Sequence, residues 1–264
     1  MAVHPKKRLG QHFLVDGNIA AKIVGAVAAP PNAVVVEIGP GEGALTGLLL
    51  ARYPNLIAVE VDEEAVGHIE MQYPDLEIMN QDVLALNWGN LSDENTNDQL
   101  CYVVGNLPYY ITSPILFGLL DARLHIKRAV LMMQKEVADR IVAVPGSKTY
   151  GILSVQVQLL AKPTKLFSVS RHVFYPKPKV ESAVIALDFD HSDKFDFDVD
   201  QMKRVVRTAF GQRRKMLRNS LAGLCAELGS NLPERFQTVR PEKLAPSEFA
   251  ELTNHLFAGE SQKS

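Results

Sequence analysis

An α/β fold, with a mostly parallel sheet followed by a small helical C-terminal domain, is the architecture this 264-residue chain predicts. Three observations carry it. Near-continuous apolar, β-rich runs alternate with helical patterns, as strands do when crossover helices bury both faces of their sheet. From about His191 onward the strand-like runs stop and only helical patterns follow. The length suits one large domain with a small appendage.

Along the chain, a helical pattern at 18–28 precedes the Val-rich run 34–38, and a second helix at 44–52 leads to the apolar run 56–61. Helix 63–71, strand 76–79, strand 101–105 and helix 114–121 continue the alternation. Strand 129–133, helices 135–142 and 152–161, and strand 183–189 complete it. The C-terminal helices are expected at 201–210, 213–227 and 247–257. Segment 188–200 is acidic, short of large apolar residues and suited to a linker, so the domains are drawn at 1–191 and 192–264. There are no repeats and no low-complexity tract.

Composition narrows the function. Hydrophobic residues make up 47% and charged residues 22%, the balance of a soluble globular protein. No apolar run is long enough for a membrane span, and the basic start Met1–Arg8 is not followed by a signal-peptide core. Cys101 and Cys225 are far apart, which argues for reduced thiols in the cytoplasm and against a zinc site or disulfide framework. His4, His68, His125, His172, His191 and His255 show no metal-ligand spacing, so no metal is expected. The net charge of −2 hides segregation: residues 53–122 hold twelve acids and no Lys or Arg, while 162–180 and 201–221 hold five and seven basic residues and no acid. That arrangement fits a polyanion gripped from one side, with Lys203, Arg207, Arg213, Arg214, Lys215 and Arg218 as the candidate phosphate contacts. Solvated helix faces are the plain alternative.

Two motifs carry chemistry. In the first, strand, glycine loop and helix start follow one another through Val34–Thr46, and Gly39, Gly41 and Gly43 let backbone approach a ligand where a Cβ would clash. Glu60, ending the next strand, can accept hydrogen bonds from both hydroxyls of a ribose. Asp82 can accept from an adenine amino group, with Val61 and Val83 flanking the ring. Gly39-x-Gly41-x-x-Ala44 also fits a dinucleotide fingerprint, which keeps NAD open beside S-adenosylmethionine. The second motif is Asn106-Leu107-Pro108-Tyr109, directly after an apolar run. The Asn106 side-chain oxygen and the Leu107 carbonyl can accept from an exocyclic NH₂, Pro108 stiffens the turn, and Tyr109 can stack on a base. An ordinary loop turn is the alternative for this motif alone. Asn-Leu-Pro-Tyr has no evident task in hydride transfer, and Glu42 puts negative charge where a pyrophosphate would sit. The pair therefore favours S-adenosylmethionine and methylation of the N6 amine of adenine.

At this point the sequence resembles a known family, the small-subunit ribosomal RNA adenine dimethyltransferases. The likeness runs nearly end to end: Gly10-Gln-His-Phe-Leu14, Glu37-Ile-Gly-Pro-Gly-x-Gly43, Glu60, Gln81-Asp82, Gly105-Asn-Leu-Pro-Tyr109, Met133–Ala138, Tyr150–Ser154, Phe174-x-Pro-x-Pro-x-Val180 and Phe210–Ser220. His12 stands where many members have Asn. The resemblance implies a class I methyltransferase (Rossmann-like) sheet, S-adenosylmethionine as cofactor, and two adjacent adenosines in a hairpin loop near the 3′ end of small-subunit rRNA as target, dimethylated during late assembly. It also implies that His12 lines the cofactor's methionine end and that Leu14 and Asn106 are among the residues that bind the cofactor. A related branch methylates large-subunit rRNA; the Phe210–Ser220 run favours the small-subunit one.

The chemistry follows. The N6 lone pair is delocalised into the ring, so acceptors on both N–H groups, from Asn106 and Leu107, favour a more nucleophilic nitrogen. A stacked base must be splayed out or flipped, and Tyr109 with Phe174 could clamp it; core packing is the alternative for Phe174. No covalent intermediate is required, and a monomer is expected. Trp88 is read as a loop anchor, and Glu136 with Arg140 as a helix pair. A DNA adenine methyltransferase, and an assembly factor that uses methylation only as a timer, are the other readings.

Overall fold

The computed structural model describes residues 4–6, 10–91, 100–189 and 197–258. In order, the elements are β1 (Phe13–Leu14), α1 (Gly17–Val27), β2 (Val35–Ile38), α2 (Thr46–Leu50), β3 (Leu56–Glu60), α3 (Glu63–Gln72), β4 (Glu77–Asn80), β5 (Cys101–Asn106), α4 (Thr112–Asp121), β6 (Ile126–Gln134), α5 (Lys135–Ile141), α6 (Ile152–Leu160), β7 (Lys162–Val169), β8 (Phe174–Tyr175) and β9 (Ser182–Asp188). Then come α7 (Val199–Gly211), α8 (Leu217–Ser220), α9 (Ala222–Leu228), α10 (Glu234–Gln237) and α11 (Pro246–Phe257).

Seven strands form one sheet in the order β4-β3-β2-β5-β6-β9-β7. The four pairings among β4, β3, β2, β5 and β6 are parallel, and β9 runs antiparallel to both β6 and β7. β2, Val35–Ile38, is buried along its whole length, and its neighbours β3 and β5 nearly so, which is why they read as apolar runs. Gly105 has a close-approach reason to be glycine: a Cβ there would meet the Ile38 carbonyl oxygen at 2.7 Å, so β5 could not lie this close to β2. Asp16 and Asp62 cap α1 and α3 by accepting from backbone amides of the first turn.

The sequence reading missed β7. Its residues Lys162-Pro-Thr-Lys carry charge and a proline, which suits the edge position it occupies but hides it from a search for apolar runs. The predicted helix 213–227 is also divided. Met216 is extended (φ −68°, ψ 151°), Leu217 N–H donates to the Val239 carbonyl, and helix resumes only as α8 and α9.

The domain division at 191/192 needs correction. The chain separates into one unit of Met1–Ala138 and Lys162–Asp190 and another of Asp139–Ala161 and His191–Ser264. Tyr150 and Val155, expected in the first domain, are buried with Met202, Val206, Phe249 and Leu252 in the second unit's core. The Tyr150 hydroxyl donates to the Leu244 carbonyl at 2.8 Å. Much of the proposed linker, and His191 itself, lie outside the described residues, as do Asp93, Glu94 and Asp98 of the acidic stretch.

Candidate active site

A cleft at the carboxyl ends of the parallel strands, in the first unit, encloses about 820 Å³ including its open mouth. It is lined from three parts of the chain: Gly10–Leu14, the ends of β2 and β3 with the loop between β2 and α2, and Asn106–Ile111. Open α/β sheets bind ligands in this position.

Two glycines of the loop line the cleft, one open to a ligand at Gly39 and one packed against the Phe13 ring at Gly41. Gly39 and Gly41 have φ of +66° and +57°, and a Cβ on Gly39 would enter open space. The loop is drawn toward β3 by Glu60, whose Oε2 accepts from Gly41 N–H at 3.3 Å while Oε1 accepts from the Val61 and Asp62 amides at 2.9 Å. Glu60 is 6% exposed, and burial raises its carboxyl above the usual range against the pull of those three amides. Gly43 does not line the cleft. Its φ is +85°, and a Cβ there would press on Ile69 at 3.1 Å, so this glycine serves packing against α3 and is corrected from a cofactor position. Asp82 is exposed and outside this lining; its Oδ1 accepts from the Leu84 amide at 2.9 Å to cap the 3₁₀ turn Val83–Ala85, which leaves Oδ2 uncommitted among the described residues.

Asn106 ends β5, and Leu107 N–H donates to the Met132 carbonyl on β6 at 2.9 Å, which fixes the motif to the sheet. The Asn106 Nδ2 donates to the His12 carbonyl at 2.9 Å. A carbonyl only accepts, so the amide nitrogen is the atom turned toward it and Oδ1 is left as a free acceptor among the described residues. The Tyr109 hydroxyl bonds Ser182 Oγ at 2.7 Å, and burial raises its pKa, so it stays a neutral phenol. The His12 ring lies 5.4 Å from the Tyr109 ring, tilted by 33°, and its Nδ1 is 2.6 Å from the Pro176 carbonyl.

Phe174 is not brought to this cleft. It is 4% exposed, pairs with Leu14 across the β1–β8 ribbon and packs in the core with Ile23 and Val184. The core-packing alternative is the one observed, and the second face of a base clamp is not supplied by this ring.

Two contributors were missed. Glu37 lines the cleft, is 1% exposed and accepts from Thr46 Oγ1 at 2.8 Å. Burial pushes its carboxyl up to about 8, the Thr46 bond pulling it down and the neighbouring Glu60 adding to the rise. An acid inside the otherwise apolar run Val34–Ile38 was the available signal. Ser182, which holds Tyr109, lies on β9 and had no local signal. Gln11 belongs with the N-terminal lining: its Nε2 donates to Asp62 Oδ2 at 3.0 Å beside the Lys6–Asp62 ion pair. Burial pushes the Asp62 carboxyl up, but the bonds from Lys6 and Gln11 outweigh it and hold the group below its usual range.

In the second unit the basic candidates differ among themselves. Arg207, Arg214, Lys215 and Arg218 are exposed, with no ion pair among the described residues. Arg213 is committed internally: Nε donates to Glu242 at 2.9 Å and Nη2 to the Lys148 and Ser147 carbonyls at 2.9 and 3.3 Å. It ties one turn of this unit to another and is corrected from a phosphate contact. Lys203 pairs with Asp200 at 3.3 Å and is mostly covered.

Comparison with known proteins agrees with this geometry. A family model described as ribosomal RNA adenine dimethylase matches residues 3–257. The chain is 48% identical over 255 residues to "Ribosomal RNA small subunit methyltransferase A" of Salinibacter ruber, covering 96% of this chain and 86% of that one. The protein of the same name from Phocaeicola vulgatus is 41% identical over 264 residues, covering 99% and 93%. Among solved structures, a dimethyladenosine transferase from Plasmodium falciparum superposes with a TM-score of 0.79 at 26% identity, covering 96% of this chain and 98% of that one. The 23S rRNA methyltransferase ErmE shares the fold, with a TM-score of 0.67 over 92% of this chain and 99% of its own. The chain belongs to the ribosomal RNA adenine dimethylase family.

Proposed function

We propose that this rRNA adenine dimethyltransferase modifies two adjacent adenosines in the hairpin loop near the 3′ end of small-subunit rRNA, at the Asn106–Tyr109 end of its cleft. The observation that carries the reading is the orientation of Asn106: its nitrogen is spent on His12, which leaves Oδ1 to accept from an adenine amine. When bound, S-adenosylmethionine supplies an electrophilic methyl group. The residues here fit it: Gly39 leaves open space at the loop, Gly41 lets the loop lie against the Phe13 ring, and the Glu60 carboxylate, held by the Gly41, Val61 and Asp62 amides, would accept from ribose hydroxyls. His12 and Leu14 border the same cleft.

The protein's own part is positioning. Asn106 Oδ1 and the Leu107 carbonyl accept the two N6 hydrogens and favour a pyramidal, more nucleophilic nitrogen. Tyr109, pinned by Ser182, offers a stacking face for a base taken out of its helix. Arg207, Arg214, Lys215 and Arg218 hold phosphates. The relatives' names support the small subunit as target, and we infer that the protein works as a monomer, in the cytoplasm, during assembly. The test is tritiated methyl transfer to unmethylated small subunits followed by nucleoside analysis. Dimethyladenosine in the 3′ hairpin is expected, and no label there sinks the reading. A timer-only role is tested separately with Asn106→Ala, which should bind subunits without methylating them.

A further inference from the structure

The ribbon β1–β8 presents an aromatic ring that the proposed chemistry does not use. Tyr175 is 66% exposed, beside Phe174 at 4%. Tyr175 is paired with Phe13 and Phe174 with Leu14. Paired residues share a face of a ribbon, and successive residues take opposite faces. Phe174 turns into the core. Tyr175 is left on the face of Phe13, whose ring lies against Gly41 of the glycine loop.

The surroundings suit an anion. Pro176, the next residue, bonds His12, which touches Tyr109. Lys177 and Lys179 follow, both exposed, with Lys177 Nζ 3.2 Å from His172 Nδ1. The nearby acid Glu181 is engaged by Arg171, accepting from its amide at 2.9 Å. A large exposed ring flanked by cations is the arrangement that single-stranded nucleic acid uses, base on ring and phosphate on lysine.

We propose that Tyr175, Lys177 and Lys179 form a subsite for the nucleotide beside the one entering the cleft. Tyr175 stacks on that base and the lysines hold the adjoining phosphate. The proposal rests on the reading of the cleft as an adenosine site in RNA. It gives the loop a substrate-selecting task that Phe174, buried, does not perform.

The probes are unmethylated small subunits and an RNA hairpin carrying 2-aminopurine next to the target adenosine. Tyr175→Ala should weaken RNA binding about ten-fold and abolish quenching of the 2-aminopurine, with melting temperature and cofactor affinity at the parental values. Tyr175→Phe, which keeps a π face, should restore both signals, and Tyr175→Leu should not. Changing Lys177 and Lys179 to Ala should flatten the log–log salt slope by roughly 0.7–0.9 per lysine. Parental binding by Tyr175→Ala, restoration by Tyr175→Leu, or an unchanged slope overturns the proposal. Tyr109→Ala on the same probes separates the two readings: if it methylates at the parental rate, the cleft reading fails whatever Tyr175 does.

Discussion

Asn106→Ala removes an acceptor that the structure shows to be uncommitted, and it also frees the His12 carbonyl. The expected result is a single-turnover rate lower by ~10²-fold or more with RNA affinity kept. A parental rate would exclude the proposed role. Tyr109→Phe keeps the ring and loses the bond to Ser182, so it should cost about ten-fold or less, as should Ser182→Ala. The double variant should be no slower than either single, because both remove the same bond; additive losses would show that the hydroxyls act separately. For Glu60→Ala, loss of a charge-assisted bond to the ribose should weaken S-adenosylmethionine by roughly 1.5–3 kcal/mol, one to two decades in calorimetry. Unchanged affinity would remove Glu60 from the site. That Gly39, Gly41, Glu60 and the Asn-Leu-Pro-Tyr turn line one cleft was legible because each sits at a strand end marked by a local motif. Glu37 and Ser182 act through partners at longer range or from within buried strands, and the cap that Asp82 supplies was not separable in the sequence from a ligand contact, because both ask for the same residue type.

Among the elements, the β1–β8 ribbon and the turn after α7 make the sharpest claims. Phe174→Ala should act as a core deletion, costing ~3–5 kcal/mol of stability. A clear drop in melting temperature is expected; loss of activity without it would return Phe174 to the substrate. Arg213→Ala should lower stability while leaving the salt dependence of RNA binding unchanged, since its donors are spent on Glu242 and two carbonyls. Changing Arg214, Lys215 and Arg218 together should flatten that dependence with the fold intact. If Arg213 alone accounts for the slope, its internal bonds do not survive RNA binding. The parallel strands were readable because burial on both faces leaves an unbroken apolar record. An edge strand such as β7 leaves none, and helical propensity through 213–227 gave no warning that backbone bonding to Val239 would break it.

At the scale of the molecule, Glu37 sets an acid–base property of the fold. Its folded value lies above the ordinary one, so its contribution to stability is fully present below 4.5 and lost as pH rises through about 8. Relative to Glu37→Gln, the parent should therefore lose melting temperature across that interval and level off above it. Parallel curves for the two proteins would mean that Glu37 is ionised throughout. The discontinuous second unit was the least legible feature of all. The side chains that bury Tyr150 come from α7 and α11, far along the chain, and no local pattern records such a partnership.

That discontinuity has a consequence in time. Residues 139–161 leave the synthesising ribosome well before α11 exists. At roughly 5–20 residues per second, Tyr150 and Val155 wait on the order of 5–20 s for Phe249 and Leu252. For the first third or so of that interval β7 and β9 are still being made, and for the rest the segment's apolar side chains lack the α11 residues of their core. The core of the second unit is complete only once α11 has been made.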